Sequence, residues 1–187
     1  MRILFLSQRV PYPPNRGDKI ITWRLVERFS RDHEVTIACF SHDDDDEEAA
    51  RFLREERGIK TITVPINLRN KKIQSLPLLL TGKALTLGVF GSRELQRVVD
   101  EQLPRADMAY AFSSSMAAFI MDRSTPWILH IAELDSDKWR QYAERHSFPM
   151  SALYRREWKT LRSFEKRAAA DAVTNVLCTP LEDEIFQ

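Results

Sequence analysis

Six short, β-rich apolar runs recur along this chain: RILFLS (2–7), EVTIACF (34–40), TITVPI (61–66), DMAYAF (107–112), WILHIA (127–132) and AVTNVLC (172–178). Between them the periodicity turns helical, over 18–31, 45–57, 92–103, 114–122 and the long 151–170, and a last helix opens after Pro180. Strands that alternate with helices imply a parallel sheet joined by helical crossovers. The expected fold class is therefore α/β. It is a Rossmann-like three-layer sandwich with a mostly parallel central sheet, six or seven strands wide, and the first strand at its centre.

Two helices show how the layers form. In 18–31, Ile21, Trp23, Leu25, Val26 and Phe29 make a stripe that can lie on the sheet, so this is a crossover helix. The run HDDDDEEAARF (42–52) puts acids at a helix start, where the macrodipole favours them. A solvated helix start is expected there rather than a metal site, because contiguous acids on a helix do not converge on one ion.

A chain of 187 residues, 43% hydrophobic and 29% charged, can bury one ordinary core. Its 28 basic and 27 acidic residues leave a net charge of +1, so no global field favours nucleic acid. Charge-based function must be local. Cys39 and Cys178 lie far apart without CxxC spacing, which fits reduced, buried thiols in a cytoplasmic protein. His33, His42, His130 and His146 show no ligand spacing, so no metal and no resident cofactor are expected.

The start MRILFLSQRV holds only four consecutive apolar residues, too few for a signal-peptide core. The greasiest stretch, SLPLLLTGKALTLGVFG (75–91), is broken by Pro77, Gly82, Lys83 and Gly88 and falls short of a membrane span, though it could touch a membrane surface. Leu78, Leu79, Leu80, Leu85 and Leu87 lie among breakers rather than in one period. Region 67–91 is therefore expected to be mobile or to rim a cleft rather than to form a crossover helix.

The loop after the first strand carries Pro11, Pro13, Pro14 and Gly17. Gly17 stands at the start of helix 18–31, where backbone amides and the helix dipole favour an anion such as a phosphate. A proline-stiffened connector capped by Asp18 explains the same residues. The dinucleotide fingerprint GxGxxG is absent, and the chain has only five glycines, so a nicotinamide cofactor held in the usual way is not expected.

The run PYPPNRGDKIITWRLVERFSRDHEVTI resembles the start of family 4 glycosyltransferases of the GT-B fold. HIAELDSDKWRQYAE (130–144) and YRREWKTLRSFEKRAAADAVTNVLCTPLEDEIF (154–186) look like that family's middle strand, long helix and final strand. Within it, DSDKW (135–139) resembles the exopolysaccharide and PEP-CTERM-associated sugar transferases.

The resemblance covers essentially all of residues 1–187, most weakly over 67–105, and implies the N-terminal, acceptor-side domain of a retaining enzyme. The resemblance implies a second domain outside this chain, which in the family supplies most nucleotide-sugar contacts. The implied substrates are a nucleotide-diphosphate sugar donor and a glycan or lipid-linked acceptor. The implied partner is the chain's own C-terminal domain, and the implied location is the cytoplasm, with peripheral contact at the inner face of the membrane.

The family carries a histidine near residue 130 that contacts the donor sugar, so the candidate catalytic residues are His130, Glu133 and Asp135. Candidate substrate-binding residues are Arg16, Gly17, Asp18, Lys138 and Trp139. Each has a plainer reading. His130 shares side-chain parity with Ile128 and Ala132 and can be a hydrogen-bonded core residue. Trp139 and Tyr142 can pack an exposed helix, and Leu153, Trp158, Leu161 and Phe164 can pack the long one, with Arg155, Arg156 and Lys159 solvated or facing anionic lipid. A sugar- or phosphate-binding module without turnover is the rival reading. A flavodoxin-like receiver lacks its early acidic pair here.

Overall fold

Ile3, Leu4, Phe5 and Leu6 are each at most 5% exposed, so the first strand is apolar on both faces. Only a central strand of a sheet covered on both sides can bury such a run. The computed structural model describes residues 1–186; the expected domain boundary at Gln187 lies outside the described residues. In chain order the elements are β1 (Arg2–Ser7), α1 (Gly17–Phe29), β2 (Glu34–Ser41), α2 (Asp44–Glu55), β3 (Lys60–Pro65) and α3 (Leu68–Ser75). A 3-10 turn (Leu76–Leu80), α4 (Leu85–Phe90), α5 (Arg93–Gln102), a second 3-10 turn (Leu103–Arg105), β4 (Met108–Phe112) and α6 (Ser114–Ala117) come next. The chain goes on through β5 (Trp127–Ile131), α7 (Asp135–Arg145), α8 (Met150–Asp171), β6 (Thr174–Leu177) and α9 (Pro180–Phe186).

Among the described residues, six strands form one all-parallel sheet in the order β3-β2-β1-β4-β5-β6. This is the expected Rossmann-like sandwich, with β1 inside the sheet. Parity sorts the side chains into two cores. Phe5, Ile37 and Tyr110 meet Trp23 and Val26 of α1 and Leu53 of α2 on one face. On the other, Leu6, Phe40 and Leu129 meet Leu95 of α5 and Leu161 and Phe164 of α8. The stripe of α1 lies as expected, with Ile21, Leu25 and Phe29 packed at the margin of the first core.

Several local expectations need correction. The helix expected over 114–122 ends at Ala117, and the chain reverses at Asp122, where φ is 59°. The acidic run is not uniformly solvated. Asp43 caps α2 by accepting from the Asp46 amide at 2.9 Å, while Asp46 is itself 3% exposed and bonded to Lys19 Nζ at 2.8 Å. Cys39 is buried but Cys178 is exposed, because it comes after an edge strand with no neighbour beyond it.

Region 67–91 contributes no crossover helix; α5 takes that role. Its short helices cover part of the sheet's carboxyl edge, with Leu80 93% exposed and Leu78, Leu79, Leu85 and Leu87 half-buried. Polar bonds from α8 hold it down. Arg156 is not solvated: its guanidinium donates to the backbone carbonyls of Leu78, Thr81 and Lys83. Glu157, 1% exposed, accepts from the Leu85 amide at 2.7 Å and from the Thr86 amide and hydroxyl at 2.8 Å. These amides open α4, so the carboxylate satisfies donors that a helix start leaves unpaired. Among the described residues no helix is long and apolar enough to cross a membrane.

Candidate functional site

In this strand order the chain leaves β1 toward β2 on one side and β4 toward β5 on the other. The carboxyl ends of β1 and β4 therefore frame a crevice, the place where open α/β sheets bind ligands. A cleft of about 640 Å³ opens there. Gln8, Arg9, Arg16, Gly17 and Asp18 line it from the β1–α1 loop, and Phe112 and Ser113 from the end of β4. Ala132, Glu133, Asp135, Lys138 and Trp139 come from the end of β5 and from α7. Leu68, Lys72, Thr86, Val89 and Phe90 close the rim from region 67–91.

Of the eight residues singled out in the sequence, the cleft thus gathers Arg16, Gly17, Asp18, Glu133, Asp135, Lys138 and Trp139. His130 stands apart. It is 5% exposed, its Nδ1 lies 2.7 Å from the Tyr110 hydroxyl, and its Nε2 lies 3.8 Å from Cys178 Sγ. Its ring meets Phe112 edge-on at 4.8 Å, behind the cleft wall. Burial pulls its pKa below the ordinary histidine value.

The β1–α1 loop presents the start of α1 to the cleft. Arg16 occupies the cap position with extended backbone and no side-chain cap, so the first amides of α1 have no partner from that side chain. A Cβ built on Gly17 meets nothing within 4 Å, so the cleft side of this turn is open. Asp18 is held between Arg16 Nε at 2.7 Å and Arg9 Nε at 3.6 Å. The loop is anchored from below by the buried Lys19–Asp46 pair, by a 3.4 Å bond from Lys19 Nζ to the Tyr12 carbonyl, and by His42 Nε2, 2.9 Å from the Gln8 carbonyl. Beside the cleft, a second hollow of about 530 Å³ shares Arg9 and Arg16 and runs under Tyr12, whose ring stacks on Phe52 at 4.8 Å.

On the opposite wall, Trp139 both lines the cleft and packs: its ring lies 5.5 Å from Tyr154 and 5.7 Å from Tyr142, and Nε1 donates to Thr86 Oγ1 at 3.3 Å. Lys138 Nζ reaches Glu133 at 3.4 Å. Arg140 is engaged along its own helix, at 2.6 Å from Asp137 and 2.7 Å from Glu144. Asp135 is pushed up to about 6, first by burial and then by the neighbouring Glu133 charge. Behind it, Glu165 of α8 is wholly buried, accepts from the Ser136 amide at 3.3 Å, and is pushed up to about 7 by burial. Near neutral pH this end of the cleft can hold a proton on a carboxyl group.

Sequence reasoning passed over Gln8, Lys72, Thr86, Phe90 and Ser113. The SSS run (113–115) ending the fourth apolar run was the available signal. Ser113 has φ 88°, uncommon for a residue with a side chain, and starts α6 at the switch point. Four basic side chains (Arg9, Arg16, Lys72, Lys138) face three acidic ones (Asp18, Glu133, Asp135) around the cleft. The basic groups outnumber the acidic ones by one, with Asp18 paired to Arg9 and Arg16 and Glu133 to Lys138.

No protein-family model, no curated protein and no solved structure matches this chain. Its function therefore has to be argued from the cleft.

Proposed function

We propose that the chain is the N-terminal domain of a retaining glycosyltransferase that moves a sugar from a nucleotide-diphosphate donor to a glycan or lipid-linked acceptor, in bacterial exopolysaccharide synthesis. One observation carries the reading. A single cleft joins the open start of α1 at Gly17, cationic groups at Arg9, Arg16, Lys72 and Lys138, and the indole of Trp139. A diphosphate is suited by the first two features and a sugar ring by the last. The sequence motifs that resemble family 4 enzymes support the same reading.

In this scheme catalysis is positioning and electrostatics. The α1 amides and Arg16 stabilise the departing diphosphate, Trp139 stacks on a sugar ring, and Glu133 or Asp135 exchanges a proton with an acceptor hydroxyl. His130 shapes the wall through Phe112 and does not contact the donor. The C-terminal domain that this reading requires would hold the nucleotide, at the cytoplasmic face of the membrane.

The test compares nucleotide-sugar turnover by residues 1–187 alone with turnover by the same residues joined to that nucleotide-binding domain. Turnover only in the joined protein, with weak nucleotide binding by residues 1–187, is expected. Tight, saturable binding of a sugar or phosphate by residues 1–187, with no turnover in either form, would instead make the chain a binding module.

A further inference from the structure

The long helix α8 carries two buried glutamates, Glu157 and Glu165, 1% and 0% exposed. Each serves the start of a helix whose own cap residue offers no side-chain bond, Ala84 before α4 and Leu134 before α7. The two are not used alike. Both oxygens of Glu157 are occupied by donors of α4, whereas Glu165 accepts one bond only, from the Ser136 amide to Oε1. Glu165 Oε2 has no hydrogen-bond partner among the described residues, and neither do Ser136 Oγ and Ser114 Oγ, although all three atoms are buried.

These orphan oxygens come from α6, α7 and α8 and lie together. Ser114 and Ser136 stand close enough to the Glu165 carboxyl to bias its ionisation, as Ser114 does for Asp135, yet neither hydroxyl completes a bond of ordinary geometry. A carboxylate at Glu165 would be a buried charge with one long hydrogen bond, which is costly. A carboxylic acid makes Oε2 a donor for two hydroxyls that can both accept and donate. Leu161, Phe164 and Ala168 on the same helix belong to the core, and the ionisable group whose charge Glu165 feels is Asp135, on the cleft wall.

We infer that Asp135 and Glu165 form a carboxyl pair that shares one proton across the Ser114 and Ser136 hydroxyls, Asp135 presenting it to the cleft and Glu165 acting from behind as a positioning residue. Of the two carboxyl groups at this end of the cleft, this singles out Asp135 for proton exchange. The Glu133 side chain is 64% exposed, with Lys138 Nζ 3.4 Å away. Burial raises both members of the pair, Asp135 to about 6 and Glu165 to about 7, and the Asp135 charge raises Glu165 further. Asp135 therefore ionises first and the remaining proton stays on Glu165. Glu133 also raises Asp135 and Lys138 lowers it, while Arg9, Arg16, Asp18 and Lys72 line the other sides of the cleft. An anion bound beside Asp135 disfavours its charge. The O–H bond at Glu165 Oε2 then breaks, one forms on an Asp135 oxygen, and the negative charge retreats to Glu165, away from the ligand. The pair needs no sugar transfer; its response to an anion rests on the phosphate-binding reading proposed above.

The experiment follows the side-chain carboxyl carbons of the 187-residue protein by ¹³C nuclear magnetic resonance from about pH 4 to about pH 9. It is run in sodium chloride and in sodium sulfate of equal ionic strength, since sulfate has no proton to lose in that range. Glu165 should keep its proton well above the ordinary glutamate range. Asp135→Asn should lower the Glu165 midpoint by about one unit, a tenfold change in its ionisation constant, and Glu133→Gln should leave it in place. Sulfate should raise the Asp135 midpoint by about half a unit, roughly threefold. Circular dichroism verifies folding; if Asp135→Asn is unfolded, the wild-type titration still decides, because coupled carboxyls each shift in two steps. A Glu165 midpoint in the ordinary range overturns the pair and leaves the phosphate-binding reading standing, as does a midpoint that folded Asp135→Asn does not move. A coupled titration that sulfate leaves unchanged overturns the response to an anion and counts against the phosphate-binding reading as well.

Discussion

Gln8 Nε2 donates a 2.7 Å hydrogen bond to Ser115 Oγ, across 107 residues of sequence, at the point where the crossovers from β1 and β4 part. Ser115 Oγ lies in turn 3.1 Å from Ser113 Oγ, beside the one serine held at positive φ. The bond ties the β1–α1 loop to the start of α6, so the two lips of the cleft are fixed to each other and not only to their strands. The positions of Arg16 and Gly17 opposite Ser113 are thereby set before any ligand arrives.

Gly17→Val should leave the melting temperature within about 2 °C of wild type, because a Cβ at this position meets nothing within 4 Å and surface changes of this kind usually stay within about 0.5 kcal/mol. On the proposed sugar-transfer reading, the same change in residues 1–187 joined to a nucleotide-binding domain should lower transfer at least 10-fold, since the side chain would block the approach of an anion to the α1 amides. Melting curves and turnover measured on one preparation separate the two effects. Unimpaired transfer removes the helix start from the site.

Lys19→Met should cost about 3 kcal/mol, because it leaves Asp46 charged, 3% exposed and without its ammonium partner. Lys19→Met/Asp46→Leu should recover part of that loss but not all, since Asp46 Oδ2 also accepts from the His42 amide at 3.0 Å. Urea unfolding of wild type, both single variants and the double variant gives the coupling energy. A coupling indistinguishable from zero would show that the pair does not anchor the loop.

Glu165 makes stability depend on pH in a defined direction. Its folded pKa, about 7, lies above the ordinary 4.5, so between these values the folded state holds a proton that the unfolded state has released. Stability therefore falls as pH rises through that window, and Asp135, raised from 3.8 to about 6, acts in the same sense. Glu165→Gln removes the ionisation and keeps an acceptor for the Ser136 amide. It should match wild type near pH 4 and exceed it by about 3 kcal/mol at pH 8, given about 1.4 kcal/mol per pKa unit. Chemical denaturation at both pH values measures the difference, and a constant difference across the range would contradict the assignment.

Glu157→Gln should loosen the rim without unfolding the domain. Both carboxylate oxygens accept from donors at the start of α4, so an amide must turn its NH₂ toward one of them. A local loss of about 2 kcal/mol is expected, which speeds amide exchange at Leu85 and Thr86 about 30-fold. Exchange of β1 and β2 amides should not change. Equal acceleration everywhere would mean that Glu157 supports the core and not the rim in particular.

The apolar runs, their alternation with helices and the placement of β1 inside the sheet were legible in the sequence, because side-chain period and strand burial are properties of a few consecutive residues. The cleft was legible in part. Gly17, Arg16 and Asp18 announce themselves beside the prolines, and Glu133, Asp135, Lys138 and Trp139 crowd the end of one strand. His130 could not be separated from them in sequence, since it lies three residues from Glu133. It lies on the Tyr110 face before the strand ends, buried behind Phe112, while Ala132 on the same face reaches the cleft.

By itself the sequence determined the α/β class and the crossover role of α1, both from local periodicity. Only the tertiary structure decided that Asp46 leaves a solvated acidic run to pair with Lys19, 27 residues away. It alone placed Arg156 and Glu157 under a rim more than 70 residues earlier in the chain, and set Ser113 and Gln8 across one crevice. Such contacts arise where the sheet order brings distant loops to one edge, and burial then favours for these polar groups partners that no short stretch of sequence contains.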